Sequence, residues 1–349
     1  MKIKLPFFLF ILTLFSSCVG DKQAKSSADV ENVKFEIDCT IRALEVENDS
    51  TCWFAGSKNK FGLTKDFGKT WQISNINHDS LNLEFRSIAI TDNAVFILSI
   101  GSPALLFKID KQTLAYELVY KEVHEKVFYN SMQFWDNKNG IAVGDPTESC
   151  LSILLTKDGG NTWHKLTCEN LPAIEKGEAG FAASNTNISL VDKKAFIVTG
   201  GKAANILVGD EFGKNWEIFN TPIVQGETET GIYTSDFLNE KEGIIAGGDW
   251  TAKDKLKNTM ALTSDSGRTW QVLEKGPGFT SCVQFIPNTK GILSCSTNGI
   301  FYSEHMGQSW KKISEEAYYG FRFSENGEHI YFSGRNKLMS MNTATLLGK

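Results

Sequence analysis

The sequence has no Cys-x-x-Cys pair, which excludes zinc-ribbon and thioredoxin-type chemistry. It also lacks a His-Glu-x-x-His helix, an EF-hand loop, a Gly-x-x-x-x-Gly-Lys phosphate loop and a Gly-x-Ser-x-Gly elbow. The glycines of "TGGKAANILVG" (199–209) have neither dinucleotide-loop spacing nor a helical continuation. Histidine is scarce: five residues, at 78, 124, 164, 305 and 329, each isolated and better suited to surface than to ligation. No cofactor and no metal are therefore expected, and a nicotinamide or flavin oxidoreductase has no support. Positive charge is short as well. Lys and Arg total 36 against 41 Asp and Glu, a net charge of −5, so there is no basic face to bind a nucleic-acid backbone. Low-complexity tracts are absent.

What is present is a chain of 349 residues, 41% hydrophobic, enough for one large domain or two ordinary ones. Its first residues read as a targeting segment. Lys2 and Lys4 precede the apolar run "LPFFLFILTL" (5–14), which is too short to span a membrane as a mature helix. Small residues then lead into Cys18. "FSSC" resembles a bacterial lipobox, with Phe15 where leucine is more usual, and the resemblance implies lipidation of Cys18. The expected division is a signal peptide over 1–17, a polar tether over 18–33 and one folded domain over 34–349. Losing residues 1–17 leaves a net charge of −7. No second apolar segment of membrane length follows. The expected location is the bacterial cell envelope, on its periplasmic face or outer surface.

An exported chain meets oxidising conditions. Cys150 and Cys168 are placed symmetrically about "KDGGN", and Cys282 and Cys295 flank "IPNTKG", so hairpins would set each pair across from one another. Both are candidate disulfides. The alternative is that the cysteines are buried thiols acting as small hydrophobes.

One short string recurs five times: "TKDFGKTW" (64–71), "TKDGGNTW" (156–163), "GDEFGKNW" (209–216), "TSDSGRTW" (263–270) and "SEHMGQSW" (303–310). The spacing suits a tight hairpin. An Asp carboxylate accepts amides of its own turn, Gly supplies positive φ, and Trp opens the return strand with a large flat surface. Glu211 and His305 replace the Asp in two copies, which predicts looser turns. Asp66, Asp158 and Asp265, with Trp71, Trp163, Trp216, Trp270 and Trp310, are expected to be structural, the indoles packed mainly buried between sheets. A second pattern is independent of the first. Apolar runs ending in small residues recur at intervals of about 45 residues: "CWFAG", "FILSIG", "IAVG", "FIVTG", "IIAG", "ILSCS" and "IYFSG". Another strand-like segment precedes each. Four short strands per unit and seven units predict an all-β, seven-bladed propeller, with six blades as the alternative.

The string resembles the Asp-box, or BNR, repeat of sialidases and related β-propellers. The whole of 34–349 resembles the bacterial propellers related to photosystem II stability/assembly factors, lipoproteins among them. That likeness is specific for fold and weak for function.

Aligning the innermost strand of each unit puts an arginine at one register in three neighbouring units: Arg42 in "TIRALEV", Arg86 in "EFRSIAI" and Arg322 in "GFRFSEN". The same register elsewhere holds Asn130, Tyr233 and Ser281. Three guanidiniums at one mouth of the channel would suit a carboxylate or phosphate. The bland reading gives each arginine to local carbonyls and to acids such as Glu84 or Glu45. Long connections at 168–180, 220–231 and 247–258 fall on the same face and carry Glu178, Glu227, Glu229, Asp249 and Trp250, while Asp145 in "GDP" leaves a second strand there. Two functions follow. One is a noncatalytic binding or assembly scaffold that takes a protein segment or an anionic carbohydrate at Arg42, Arg86, Arg322, Asn130, Ser281, Asp145, Asp249 and Trp250. The other is a sialidase-like glycosidase, with Tyr233 as nucleophile and Glu178 or Glu229 as its partner. The sialidase likeness departs at "FRSI", which lacks the family's proline.

Overall fold

The structure is a computed structural model and describes residues 32–348. Cys18, the expected signal peptide and most of the tether lie outside the described residues. Strand follows strand almost without interruption, because short β-branched and aromatic runs alternate with Gly, Asp and Asn turns. The strands that matter for the site are β1 (Val33–Val46), β2 (Phe85–Ile90), β3 (Tyr129–Phe134), β4 (Ile188–Val191), β5 (Thr230–Phe237), β6 (Cys282–Phe285), β7 (Gly320–Phe323) and β8 (His329–Asn342). From β1 to β7 these strands touch in turn, and β7 comes back against β1, so the ring is closed. All seven apolar runs recognised in the sequence become the strands paired with these innermost ones; Cys52–Gly56 pairs with β1 and Ile292–Ser296 with β6.

Hydrogen bonding gathers the strands into six sheets. The expectation of seven blades is therefore corrected: by continuous sheets the ring has six, the number given by the alternative. The physical reason is the closure. β8 and β1 each run 14 residues unbroken, and Val33–Glu36 pairs antiparallel with Lys337–Ser340 of β8. After a shift in register, the later half of β1 pairs with Cys52–Gly56. The last and first repeat units thus share one six-stranded sheet, and main-chain bonds between the two ends of the chain hold the ring shut.

The three Asp-containing turns have one geometry. In the first, Asp66 accepts from Thr64 Oγ1 at 2.8 Å, from Thr70 N at 2.9 Å and from Thr70 Oγ1 at 2.7 Å, while Gly68 N donates to Thr64 Oγ1. Asp158 and Asp265 repeat the pattern. These bonds hold all three carboxyls below the usual aspartate range against the opposing effect of burial. The two variant turns differ as expected. Glu211 bonds the Lys214 side chain at 3.2 Å, and the last turn keeps the Gly307 N to Ser303 Oγ bond with His305 at the Asp position.

The expectation that all five indoles are mainly buried is met fully by Trp163, 6% exposed, whereas Trp71, Trp216, Trp270 and Trp310 are half-buried. Four of the turns nevertheless abut another sheet, while Gly68 of the first meets Ser340 of β8 within the same six-stranded sheet. Gly160 lies against Phe96, Gly213 against Leu155, Gly267 against Ile206 and Gly307 against Leu273. Cys150 and Cys168 form a disulfide with a Cα separation of 5.5 Å. Cys282 and Cys295 do stand directly opposite each other on paired strands, but as buried free thiols, like Cys39 and Cys52.

Candidate functional site

The sheet that contains β5 carries two extra short strands, Glu178–Ala179 and Gly200–Gly201, laid on the start of β5. They pack so closely that a Cβ on Gly231 would lie 2.3 Å from the Gly200 Cα, and one on Gly200 would lie 2.2 Å from the Phe181 ring. Side chains are excluded at both positions. The paired glycines of "TGGKAA", which bind no phosphate by their spacing, thus let the 168–180 connection fold down beside the channel. Phe181 then stacks on Tyr233, with ring centroids 3.9 Å apart and planes 4° from parallel.

Here the mouth holds a cavity of about 240 Å³. Arg42, Arg86, Phe181, Tyr233, Phe279 and Trp250 line it together with the exposed Glu229. Ser281, Thr297 and Tyr319 complete the wall. Each long connection expected on this face contributes to it or runs into it.

The two arginines are held differently. Arg86 Nε donates to Glu84 at 2.7 Å, so its charge is locally matched. Arg42 lies over the Tyr319 ring, 3.9 Å from the centroid, and gives one bond, Nη1 to the Ala183 carbonyl at 3.1 Å. Its Nε is buried without a partner, as is the Thr297 hydroxyl. Burial, and then the nearby Arg86 charge, pull the Arg42 guanidinium below its ordinary range. This is a cation poised beside open space.

Arg322 does not join them. It is 7% exposed and donates from Nη1 to the Phe321 carbonyl and from Nη2 to the Ser184 and Asn185 carbonyls, at 2.8, 3.3 and 2.9 Å. Its Nε faces Glu45 at 3.6 Å, an ion pair too long for a good hydrogen bond. For this arginine the bland reading is the one the geometry supports.

Other residues singled out in the sequence lie elsewhere. Asn130 is fully buried and donates to Asp145 at 2.9 Å while accepting from Asn187. Burial pushes the Asp145 carboxyl up to about 7, against bonds from Gly180 N and Asn130 that favour its charged form. Glu178 is 1% exposed, accepting from Thr199, Asn205 and the Glu175 amide. Asp249 sits in the neighbouring groove of about 590 Å³ and is held low first by the Thr251 hydroxyl, with Lys255 also bonded to it. The Tyr233 hydroxyl donates to the backbone carbonyl of Glu229 at 2.9 Å, and burial raises its pKa. The tyrosine–carboxylate pair needed by a sialidase nucleophile is not formed by Tyr233 with either Glu178 or Glu229.

Sequence reasoning did not name Phe181, Phe279, Thr297 or Tyr319. One signal could have found two of them. Phe279 and Tyr319 each stand just ahead of an innermost strand, in "GFTSCVQF" and "YYGFRF", the register that opens the channel mouth.

No family model matches this chain, and no curated protein does. Solved structures do. A structure titled "YCF48 bound to D1 peptide" aligns with TM-score 0.65 at 14% identity, covering 90% of this chain and 96% of that one. YCF48 from Cyanidioschyzon merolae aligns at 0.62 and 12%, covering 89% and 98%. The WD40 propeller domain of Doa1 aligns at 0.59 and 14%, covering 89% and 95%. At such identities the likeness establishes the propeller fold and leaves function to the site.

Proposed function

We propose that this chain is a noncatalytic propeller, tethered by lipid at Cys18 to the bacterial cell envelope, that holds an anionic segment of a partner protein at its Arg42 mouth. One observation carries the reading. Arg42 is half-buried, charged and without a carboxylate partner, and its Nε has no hydrogen bond. A buried donor left unpaired costs about 1–3 kcal/mol, which an incoming carboxylate would recover. The likeness to a propeller whose structure is titled as bound to a peptide supports a protein partner over a sugar.

The expected result is that a fluorescein-labelled, glutamate-rich dodecapeptide binds the protein while a lysine-rich one does not. Arg42→Ala should weaken that binding by about 2–5 kcal/mol, the range for losing one partner of a desolvated charged contact. Equal anisotropy titrations for wild type and variant would end the proposal. The tether is tested separately. Small residues before Cys18 motivate it, and Cys18→Ser should move the protein from the membrane fraction to the soluble one. Unchanged partitioning in the variant would refute the anchor.

A further inference from the structure

The mouth cavity is lined by two chemically unlike sets of side chains, and the reading of it as a carboxylate site uses only one. Beside Arg42, which bonds the Ala183 carbonyl, the Phe181–Tyr233 stack meets Phe279 edge-on at 4.8 Å, and Phe279 meets Trp250 at 5.2 Å and 68°. These rings pack on one another as one cluster along the cavity, Tyr233 and Phe279 buried and Phe181 and Trp250 half-buried, in the tilted arrangement in which aromatic groups attract one another beyond simple burial. At about 240 Å³ the cavity is smaller than the roughly 300–1,000 Å³ of sites for drug-sized ligands. It admits one large side chain and no folded element.

The charge is equally particular. Arg86 is already paired with Glu84, so of the two arginines lining the cavity Arg42 is the one without a carboxylate bond. One guanidinium left without an acid, beside the exposed Glu229, matches a monoanionic carboxylate better than a dianionic phosphate.

Building on the proposed function, we infer that the mouth recognises a carboxylate immediately beside an aromatic side chain, the acid meeting Arg42 and the ring entering the cavity to pack on the Phe181–Tyr233–Phe279–Trp250 cluster. A chain terminus ending in phenylalanine and an internal Glu-Phe step share this chemistry. Trp250 sets the preference from its loop: it is half-buried, and its outer side is covered by Lys253, 3.9 Å from the ring centroid. It is therefore the wall residue most safely removed.

Calorimetric titration of the full chain with short peptides tests this. The probes are N-acetyl-Gly-Ser-Gly-Phe with a free terminus, its amide, N-acetyl-Gly-Glu-Phe-Gly-amide, and the counterparts with alanine in place of phenylalanine. A carboxylate-bearing phenylalanine peptide should bind about tenfold or more tightly than its alanine counterpart. The free-terminus and Glu-Phe arms show which source of the acid fits. Trp250→Ala should erase most of the aromatic preference, while Trp250→Phe restores it. Equal affinities for phenylalanine and alanine peptides, with the glutamate-rich dodecapeptide still bound, would overturn this inference and leave the proposed function standing. Equal binding of the phenylalanine amide would overturn the carboxylate half. Loss of the dodecapeptide as well would sink both.

Discussion

Arg322→Ala should lower the unfolding free energy by about 3–5 kcal/mol at pH 7.5, the cost of removing one partner from a buried charge pair. The arginine caps three main-chain carbonyls from two different units and is the cation nearest two acids, Glu45 and Asp236. Burial raises both carboxyls, Asp236 to about 6, and Arg322 opposes that rise in each. The sign of the pH dependence follows. A carboxyl whose folded pKa lies above its unfolded value binds its proton more tightly when folded, so it destabilises the fold above the folded pKa and ceases to do so as pH falls. Removing Arg322 raises both folded values further. The deficit of Arg322→Ala should therefore be largest at high pH and shrink as pH falls through the variant's raised values toward the wild-type ones, which for Asp236 means toward about 6. Chemical denaturation of wild type and variant at pH 7.5 and 5 measures it. A deficit that is constant with pH would show that the guanidinium acts through its carbonyl bonds alone.

Trp163→Ala should cost about 3–5 kcal/mol, the range for deleting a fully buried large aromatic side chain. The indole is T-shaped to Phe134 at 5.7 Å and to Phe96 at 6.3 Å, and its Nε1 donates to the Gly160 carbonyl at 3.2 Å. It joins two neighbouring sheets, since Phe96 belongs to the strand paired with β2 and Phe134 to β3. Trp310 is the internal comparison. It is half-buried, and its Nε1 has no hydrogen-bond partner. Trp310→Ala should cost clearly less. Guanidinium unfolding midpoints for the two variants check the ordering, and equal losses would refute the account.

Repetition made most of the fold legible. Turn chemistry is local, so Thr64, Asp66, Gly68 and Thr70 specify their hairpin wherever the string occurs, and Asp158 and Asp265 report the same geometry. The apolar runs name second strands because a strand buried on both faces must be apolar throughout. Placement of Cys150 and Cys168 across one hairpin was likewise readable, and the disulfide forms. The arginines were found at one register, yet register fixes only where a Cα sits around the axis.

The amino-acid pattern by itself thus determined the all-β repeat, the chemistry of its turns and the face that carries the long connections, because each depends on residues a few positions apart. Only tertiary structure decided how many sheets the ring contains, because β1 and β8 meet from opposite ends of the chain and merge two units into one sheet. It also separated the three arginines. Arg322 turns inward to the Ser184 and Asn185 carbonyls, which lie far away in the chain, while Arg42 is left lining a cavity together with Phe181, Trp250 and Phe279 from three connections and Tyr233 from β5. Whether a guanidinium is spent on the fold or kept for a ligand is settled by which carbonyls come within about 3 Å of it, and that distance is a property of the closed ring.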